Sequence, residues 1–489
     1  MTMPQSDQAS AQPAPENPSV TTADLRRAAW ASSVGSALEY YDMALYSLAA
    51  ALIFGPLFFP GGDPTTGLLL SFGTYFVGFA VRPLGGILFG RLGDRLGRKF
   101  VLMVTVALMG AASALIGVLP TYGDNPGDWY GSGVGIVAPI LLIVLRVAQG
   151  LGAGAEMAGA SILMTEYAPR RRRGFFASLP FMGVQVGTVI AALTYFVLYS
   201  LGGDTVTSTW LWRLPFLASI VLVLVAIYLR LKLKESPTFQ KLEAREQIAE
   251  HPMRELATSS RGTLLRGIGL RMAENGTSSI YQALAVAYVT SAAVGIKGPI
   301  GALSLVFAAT LGSIVVPIAG ALTDRFGRVR VYRGFAVFQL AAAFPIWWAL
   351  SQGDTVVTIF VISLALGIGT WGMFGSQSAF MTELFGSRHR YLGVSVAREV
   401  SAVISGGVAP LIGAGIIAAV VSSDGGTAVP DAGLGAWVFI AGYTAILCAI
   451  TVATTFVTPE PAGRDLDDTR DALVAERDRA TVAPSATVS

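Results

Sequence analysis

The segment Gly90-Arg-Leu-Gly-Asp94-Arg95-Leu96-Gly97-Arg98 has a counterpart much later in the chain, Gly320-Ala-Leu-Thr-Asp324-Arg325-Phe326-Gly327-Arg328. Both copies read G-x-x-x-D-R-x-G-R, and each lies in a short polar stretch between two long apolar runs. Equivalent positions therefore carry the same chemistry. Such internal similarity predicts a chain built from two related halves.

A second pair of segments supports the repeat. Residues 164–174 begin with Met-Thr-Glu and end with Arg-Arg-Gly, while residues 381–393 begin with Met-Thr-Glu and then carry Arg388, Arg390 and Gly393. Repeated halves are the architecture of many secondary transporters, because rocking one half against the other alternates access to a central site.

The composition indicates that most of the surface faces something other than water. Of the 489 residues, 53% are hydrophobic and only 13% are charged, whereas a soluble domain carries roughly 25% charged residues. Apolar runs of about 20 residues, each long enough to cross a hydrocarbon core of about 30 Å, recur along the chain. The sequence therefore predicts an all-α membrane protein.

The apolar runs predict about twelve spans in two pseudo-symmetric bundles of six. The spans cover residues 32–55, 67–90, 100–119, 136–164, 175–200, 211–230, 264–292, 299–322, 332–351, 356–383, 392–420 and 434–457. The expected domains are a disordered cytoplasmic N-terminus at 1–24, an N-terminal bundle at 25–232, a cytoplasmic linker at 233–262, a C-terminal bundle at 263–457 and a cytoplasmic tail at 458–489.

The loops between these spans alternate in charge. One set carries arginine and lysine clusters, whereas the opposite set contains only Lys297. The basic stretches are 91–99, 170–173, 231–262, 325–333 and 388–390. Cytoplasmic loops of membrane proteins carry an excess of Lys and Arg. The basic loops and both termini are therefore predicted to be cytoplasmic, in a multi-pass protein of the cell membrane.

At the repeated loop signature the chain resembles the major facilitator superfamily, and R-x-x-Q-G-x-G-x-G at 146–154 resembles that superfamily's fourth-helix motif. It is more closely similar to the metabolite:proton symporter family, which includes shikimate, α-ketoglutarate, citrate and proline/betaine carriers. The segments that carry this likeness are 39–42, 81–86, 149–156, 212–216, 234–239 and 383–393. The resemblance covers about residues 26–457 and implies the major facilitator fold with proton-coupled transport.

Ionisable side chains inside the predicted spans are the candidates for proton coupling. Such a group costs roughly 2.5–3.5 kcal/mol near mid-bilayer, so it usually faces the interior and has a partner. Glu39 and Asp42 are three residues apart and share one helical face. The resemblance implies that Asp42 pairs with the span-4 arginine, Arg146, and we expect protonation to switch this pair. Glu156 is a candidate for a second proton site. The alternative for each group is a structural hydrogen bond or a static ion pair.

Candidates for contact with a solute come from both halves. Arg82 either binds an anion or pairs with Glu39, and Gln149 lies on the face of Arg146. Span 7 carries two polar stripes with a spacing of seven residues, and span 11 has an arginine whose planar fork suits a carboxylate. The C-terminal candidates are Glu274, Asn275, Tyr281, Gln282, Arg398 and Trp371. Packing or hydrogen bonding between helices is the alternative interpretation.

The loop signatures are predicted to control conformation without touching the solute. Their aspartates can cap neighbouring helix N-termini and pair with arginines at the cytoplasmic face. The gating candidates are Gly90, Asp94, Arg95, Gly97, Arg98, Gly320, Asp324, Arg325, Gly327 and Arg328. The basic cluster 170–173 is interpreted as a topology signal that attracts anionic lipid.

The function predicted from these residues is secondary active symport of a small polar metabolite with protons. Arginines in three spans (Arg82, Arg146 and Arg398) favour an organic acid over a cation. An osmolyte symporter, an uncoupled facilitator and a solute sensor without turnover are the alternatives. The sequence has no nucleophile–base pair, metal-ligand cluster or phosphate loop. We therefore expect no enzyme activity, no cofactor, no metal and no nucleic-acid partner, and a monomer in the lipid bilayer.

Overall fold

Helices form nearly all of the structure, a computed structural model that describes residues 22–475 with several gaps. The gaps fall at 61–63, 97, 124–132, 155, 204, 232–255, 257, 259, 292–293, 297, 388–389 and 424–434. The predicted N-terminal leader, most of the predicted linker and the end of the predicted tail lie outside the described residues.

Six long helices form the described part of the N-terminal half. They are α1 Thr22–Leu52, α2 Pro64–Leu96, α3 Arg98–Ile116, α4 with two segments Val137–Ala153 and Glu156–Tyr167, α5 Arg173–Gly202, and α6 Leu214–Leu231. Short helical turns at Phe54–Phe58, Arg170–Arg172, Thr205–Ser208 and Trp210–Arg213 lie between some of them.

The described residues of the C-terminal half form six more long helices, three of which contain a π-helical segment. Helix α7 runs Arg261–Ser279, Ile280–Leu284 (π) and Ala285–Thr290; α8 is Ile300–Phe326; α9 is Arg328–Ser351; α10 runs Thr355–Ile362, Ser363–Thr370 (π) and Trp371–Leu384; α11 runs Arg390–Ser401, Ala402–Gly407 (π) and Val408–Ser423; α12 is Ala436–Phe456. Two sets of six helices agree with the predicted fold class.

Charge along the helices distinguishes α1 and α7 from the rest. Within the described residues, seven helices (α2, α5 and α8 to α12) are long and apolar enough to cross a membrane, and α3, α4 and α6 contain shorter apolar helices. Large apolar side chains such as Leu224, Ile314 and Phe360 are exposed on these helices, as contact with lipid requires. Helices α1 and α7, the first of each half, carry several charged residues. The surfaces that these two helices bury are therefore the first place to look for a site.

The halves meet along two equivalent seams. Helix α5 packs along α8, and α2 packs along α11. Because α2 and α5 correspond to α8 and α11 in the repeat, a pseudo-two-fold axis exchanges the seams. In the first seam, the α5 and α8 backbones approach so closely that a Cβ added to Gly174 would lie 2.3 Å from the carbonyl oxygen of Gly320. Small residues permit such close helix contacts in membranes.

The two halves touch at both ends of the bundle. We call the end that carries the α2–α3, α4–α5, α8–α9 and α10–α11 loops the basic end. There Glu156–Tyr167 of α4 packs on Trp371–Leu384 of α10. At the opposite end α1 packs on Ala285–Thr290 of α7, and α2 packs on Val408–Ser423 of α11. The space between the halves is therefore enclosed from both ends.

Candidate functional site

A pocket inside the N-terminal half brings together charged side chains of α1, α2 and α4. Asp42, Arg82 and Arg146 are all buried, with 3%, 5% and 2% of their surfaces exposed. The pocket is lined by Asp42, Met43, Gly78, Arg82, Met109, Arg146, Gln149, Gly150 and Ala153. Helix α4 lies this close to α2 because Gly150 has no side chain: a Cβ there would lie 2.3 Å from the Gly78 carbonyl oxygen.

Asp42 and Arg146 share this pocket but have separate hydrogen-bond partners. Asp42 Oδ1 accepts a hydrogen bond from Ser219 Oγ of α6 at 2.7 Å. Arg146 donates to Gln149 Oε1, and its guanidinium lies 3.8 Å from the centroid of the Tyr46 ring. None of the ion pairs found among the described residues joins Asp42 to Arg146. The two residues predicted to pair are thus neighbours in one pocket, without a direct salt bridge.

Arg82 contributes a second positive charge to the same pocket. Its guanidinium donates to Met43 Sδ and lies 4.5 Å from the centroid of the Phe79 ring. These contacts hold the guanidinium of Arg82 beside Asp42. The wall of the pocket therefore carries two arginines and one carboxylate. An anion is therefore the charge that this pocket favours.

Glu39 lies one turn before Asp42 but has different neighbours. It is buried and interacts electrostatically with Arg398 of α11 in the other half. Tyr40 also meets this arginine, with its hydroxyl 3.5 Å from Arg398 Nη2. The sequence predicted that Glu39 and Asp42 share one helical face, but the two carboxylates have different surroundings. Asp42 lines the N-terminal pocket, and Glu39 lies at the interface between the halves.

A second pocket, here called the central pocket, lies between the two halves. It is lined by side chains of α4, α5, α7, α10 and α11: Met157, Ser161, Phe181, Arg271, Gln377, Ser378, Met381, Val394 and Arg398. All of these side chains are buried. Ser161 Oγ donates to the Ser378 carbonyl at 3.2 Å and so joins the halves directly. Arg398, a predicted solute contact, faces this pocket.

Among the residues that line the central pocket, Arg398 alone is a predicted candidate, and the polar side chains of Arg271 and Gln377 were not predicted. Arg271 donates to Gln377 Oε1 and to Asn275 Oδ1 at 3.2 Å, and its Nη2 lies 2.9 Å from Glu274 Oε2. The predicted candidates Glu274 and Asn275 therefore hold an arginine at the pocket wall. The spacing of three and four residues from Arg271 to these two side chains places all three on one helical face, and this was the signal available in the sequence.

Three other predicted solute contacts lie elsewhere. Tyr281 stacks on Trp347 of α9 with 6.0 Å between ring centroids, Trp371 packs against Gly312 of α8, and Gln282 Nε2 donates to Ser278 Oγ at 2.6 Å. The prediction for Tyr281 assumed regular winding along α7. The helix changes to π winding at Ile280, so a spacing of seven no longer returns to the same face beyond that point.

At the basic end, Asp324 connects α8 to α5. Its carboxylate accepts hydrogen bonds from the backbone N–H groups of Gly174 at 2.7 Å and Phe175 at 2.9 Å, and it pairs with Arg328 at 2.7 Å. Arg328 in turn pairs with Glu383 at 2.9 Å. The second loop signature thus caps a helix of the opposite half and pairs with an arginine, as its sequence predicts. Within the same signature, the guanidinium of Arg325 lies over the Phe326 ring.

The repeated Met-Thr-Glu segments supply two ion pairs that cross between the halves. Arg173 of α5 pairs with Glu383 of α10 at 3.4 Å, and Arg390 of α11 pairs with Glu166 of α4 at 3.4 Å. Each glutamate therefore pairs with an arginine of the opposite half. The lipid-attracting role expected for cluster 170–173 does not fit Arg173, whose side chain is only 11% exposed because it binds the C-terminal half.

Residues 458–475, here called the strap, cross the basic end and contact both halves. Glu460 accepts hydrogen bonds from the first backbone N–H groups of α9. Arg173 donates to the Arg464 carbonyl and Arg390 to the Leu466 carbonyl, each at 2.6 Å. Asp471 accepts from the backbone N–H of Gly386 at 2.9 Å. The predicted tail thus begins with a segment that fastens the two halves together.

Some predicted residues lie outside the described part of the chain. Gly97 falls in a gap, and the side chains of Asp94, Arg95, Arg98 and Glu156 are not described. The gating role of the first loop signature, including Gly90, and the proton role of Glu156 stay predictions.

The geometry of two six-helix halves with paired seams and a pocket between them agrees with one protein family. The family model described as Major Facilitator Superfamily matches residues 32–410. This chain belongs to the major facilitator superfamily. The prediction made from the repeated loop signature is therefore confirmed.

Relatives of this superfamily member are transporters. The shikimate transporter of Escherichia coli (strain K12) is 37% identical over 409 residues, which cover 82% of this chain and 90% of that protein. The proline/betaine transporter of the same organism is 31% identical over 471 residues, covering 93% of this chain and 89% of that protein. This member of the superfamily is a secondary transporter and not an enzyme.

Solved structures confirm the major facilitator fold. The crystal structure of a D-xylose-proton symporter matches with a TM-score of 0.69 at 18% sequence identity, covering 90% of this chain and 99% of that one. The fold class predicted from the sequence is therefore confirmed for this superfamily member.

Proposed function

We propose that this transporter imports a small organic acid together with protons by alternating access. The observation that carries the proposal is the N-terminal pocket, where the buried carboxylate of Asp42 shares one wall with Arg82 and Arg146. Arginine stays charged in essentially any environment. Asp42 is therefore the group among these three whose charge can follow the proton concentration.

Protonation of Asp42 changes what the two arginines can attract. While Asp42 is ionised, it offsets part of their charge and is held by Ser219 of α6 at 2.7 Å. Once Asp42 is neutral, the arginines favour an anion more strongly. Proton and anionic solute therefore promote each other's binding, and by linkage this coupling is reciprocal. Neutralisation also weakens the attraction between α1 and α4, which allows the helices around the pocket to shift.

The proposal includes an orientation in the membrane. Lys and Arg concentrate in the loops of the basic end, so we place this end and both termini in the cytoplasm. The protein then works as a monomer in the cell membrane, with the central pocket reached from either side in turn.

A zwitterionic osmolyte is the second candidate solute. A proline/betaine transporter is among the relatives. Beside the central pocket, Phe374 lies 6.1 Å from Tyr40 and 4.4 Å from Phe181 between ring centroids. Aromatic faces attract ammonium groups, and Arg398 nearby suits a carboxylate. Glycine betaine and proline carry both groups.

Uptake into proteoliposomes with an alkaline interior tests the proposal. Labelled shikimate, proline, glycine betaine and xylose are offered separately, with and without an ionophore that collapses the pH gradient. We expect a carboxylate to accumulate against its own gradient, and the accumulation to vanish with the ionophore. Accumulation of proline or betaine alone favours the osmolyte. If no solute accumulates when the interior is alkaline, proton symport is wrong.

Asp42→Asn tests the coupling residue. We expect this variant to lose gradient-driven accumulation and to retain exchange of labelled for unlabelled solute, since asparagine keeps the shape of the side chain without its proton chemistry. Asp354→Asn is the matched control, because Asp354 only caps the start of α10 through Val357 at the opposite end of the bundle and asparagine also caps helices. Accumulation at the wild-type level in Asp42→Asn removes Asp42 from the coupling role.

A further inference from the structure

A chain of hydrogen bonds leads from Arg146 to Asp42 by way of α3. Arg146 donates to Gln149 Oε1, and Gln149 Nε2 donates to Ser113 Oγ of α3 at 2.6 Å. The Ser113 hydroxyl is in turn hydrogen-bonded to the Asp42 carboxylate. All four side chains are buried, with at most 3% of their surfaces exposed. The arginine and the carboxylate are therefore joined through two intervening side chains, and Ser113 was not a candidate from the sequence.

The direction of each hydrogen bond in this chain is fixed by Arg146. An arginine has donors and no acceptor, so the Gln149 amide turns its oxygen to Arg146 and its NH2 group to Ser113. Ser113 Oγ then accepts from Gln149, and the single proton of the hydroxyl is left for Asp42. An ionised carboxylate only accepts. All three hydrogen bonds therefore run toward Asp42, an arrangement in which each bond polarises and strengthens the next.

Ser219 offers a second hydroxyl to Asp42 without extending the chain. Its Oγ donates to Asp42 Oδ1 from α6 at 2.7 Å, and this is the one hydrogen bond that its side chain makes within the described part of the protein. Ser113 and Ser219 thus present the same group to the carboxylate. Of the two, Ser113 is the one that leads on to Arg146. Holding Asp42 in place and transmitting its charge are therefore separable roles.

Asp42 is the group in this cluster whose charge responds to protons near neutral pH. The ionisable side chains near it are Arg146 of α4, Arg82 of α2 and its neighbour Tyr41 on α1. Helices α3 and α6 face it with serine hydroxyls, and α5 contributes no ionisable group to its described surroundings. Arginine stays charged and a tyrosine hydroxyl stays protonated at neutral pH. A proton that enters the cluster therefore changes the acceptor end of the chain.

Protonation of Asp42 disturbs the chain from that end. A neutral carboxyl carries a proton of its own, so one of its oxygens changes from acceptor to donor. The Ser113 hydroxyl then loses its ionised acceptor, and the polarisation that runs back through Gln149 to Arg146 is lost with it. The contacts that hold Arg146 weaken although the charge of the arginine has not changed.

We propose that Ser113 is a positioning residue for proton coupling, which transmits the protonation state of Asp42 to Arg146 through Gln149. The inference rests on the proposed function, in which Asp42 takes up the proton. It adds α3 to the helices that take part in coupling. Loss of the Ser113 hydroxyl is expected to leave both charges in the pocket and to break the hydrogen-bonded link between them.

Double-mutant cycles in melting temperature test this link without any solute. The purified protein is measured in detergent in alkaline buffer, with Asp42→Asn and Arg146→Lys as the pair. Lysine keeps the positive charge and loses the planar fork, so the cycle reports hydrogen bonding more than direct attraction between the charges. We expect the two shifts in melting temperature to be non-additive by about 2 °C or more in the wild-type background. In the Ser113→Ala background we expect them to be additive.

Two other serines provide matched control backgrounds. Ser219→Ala removes an equivalent hydrogen bond from Asp42, and Ser47 of α1 is buried with no hydrogen-bond partner for its hydroxyl among the described residues. Both Ser219→Ala and Ser47→Ala are expected to keep the non-additivity. Additive shifts in the wild-type background, non-additivity that persists in Ser113→Ala, or its loss in Ser219→Ala overturns the proposal.

Gln149→Met covers the case in which Arg146→Lys does not fold. Methionine has a similar size and no amide, so it interrupts the chain while Arg146 stays in place. The cycle of Gln149→Met with Asp42→Asn is expected to be non-additive when Ser113 is present and additive in Ser113→Ala. Non-additivity that does not depend on Ser113 contradicts the link.

Uptake into proteoliposomes provides the functional readout, with the four labelled solutes of the uptake experiment. In Ser113→Ala we expect the accumulation ratio to fall toward one while exchange of labelled for unlabelled solute continues, and in Ser47→Ala we expect both to persist. A purely structural defect would lower both together. The two proposals fail differently: Ser113-dependent non-additivity without proton-driven uptake contradicts symport alone, whereas wild-type accumulation in Ser113→Ala contradicts the role of Ser113 alone.

Discussion

Glu383 shows how a single buried carboxylate joins parts of the molecule. It has no exposed surface, and it pairs with Arg328 of its own half at 2.9 Å and with Arg173 of the other half at 3.4 Å. Removing one partner from a buried ion pair typically costs about 3–5 kcal/mol, because the remaining charge is left without compensation. Closure of the basic end therefore depends on a few side chains.

Gly174 offers a test at the same scale. A Cβ at this position would lie 2.3 Å from the Gly320 carbonyl oxygen, so Gly174→Ala is expected to force α5 and α8 apart. Overpacking of this kind costs about 1–3 kcal/mol. We expect a lower melting temperature in detergent, measured by intrinsic fluorescence. Gly334→Ala in α9 is the control, since nothing lies within 4 Å of a Cβ there. An equal effect of both substitutions contradicts the close approach.

The sequence predicted the chemistry of Asp324 but not the helix that it caps. A carboxylate beside an arginine in the loop signature indicates a helix cap and an ion pair, whereas the capped N–H groups belong to Gly174 and Phe175 of the other half. Arg271 was missed altogether. Its importance comes from Gln377, which lies 106 residues away along the chain and on another helix, and no periodicity within α7 reports such a contact.

Among the elements, the strap has the clearest mechanical role. It binds Arg173 of one half and Arg390 of the other through backbone carbonyls. Asp468 helps fold it: burial raises the pKa of this carboxyl, but hydrogen bonds from Arg470 and attraction by Arg464 outweigh burial and lower the pKa to about 2. Because the pKa of Asp468 is lower in the folded protein than in the unfolded chain, its stabilising contribution is fully present at pH values above the unfolded pKa. The contribution is lost as the pH falls through the folded pKa. The strap therefore keeps this contribution at neutral pH.

Truncation tests the strap as an element. A chain ending at Gly463 retains the Glu460 cap and loses the contacts of Arg464 to Asp471, so we expect the basic end to open more readily. The measurement is the rate at which maleimide labels a Ser161→Cys variant in nanodiscs, because Ser161 is 4% exposed in the central pocket. The native Cys448 is buried. A chain ending at Ala475 is the control. Equal labelling rates for both chains contradict the role of the strap.

The helices themselves were predictable as elements, but their irregularities were not. Apolar runs located all the long helices because length and hydropathy are properties of the local sequence. The π segments at Ile280–Leu284, Ser363–Thr370 and Ala402–Gly407 have no counterpart in the apolar runs from which the helices were predicted. Tyr281 lies within the first of these segments and stacks on Trp347, and it is not among the residues that line the central pocket.

Considered as a whole, the molecule is closed at both ends, with its charged pockets between. The basic end is held by two ion pairs that the repeat relates to each other, Arg173–Glu383 and Arg390–Glu166. Because both pairs connect the same two halves, their contributions to closure should combine. The pseudo-symmetry was predictable from the repeated segments. The structure was needed to show that the glutamate of each segment pairs with an arginine of the opposite half.

A double variant tests this combination. Glu166→Gln and Glu383→Gln are each expected to raise the labelling rate of the Ser161→Cys reporter, and the double variant to raise it by about the product of the two factors. Asp354→Asn is the control, since Asp354 caps the start of α10 at the opposite end of the bundle. If the double variant labels no faster than the faster single variant, the two pairs do not act on one closing motion.

The position of the strap also has a consequence for biosynthesis. The chain is made from its N-terminus, and the strap follows α12, so its residues leave the ribosome after α1 to α12 have been synthesised. Until then, the arginines that it binds at 173 and 390 have no such partner. The two halves can therefore insert and adjust to each other first, and fastening of the basic end becomes a late step in the maturation of the protein.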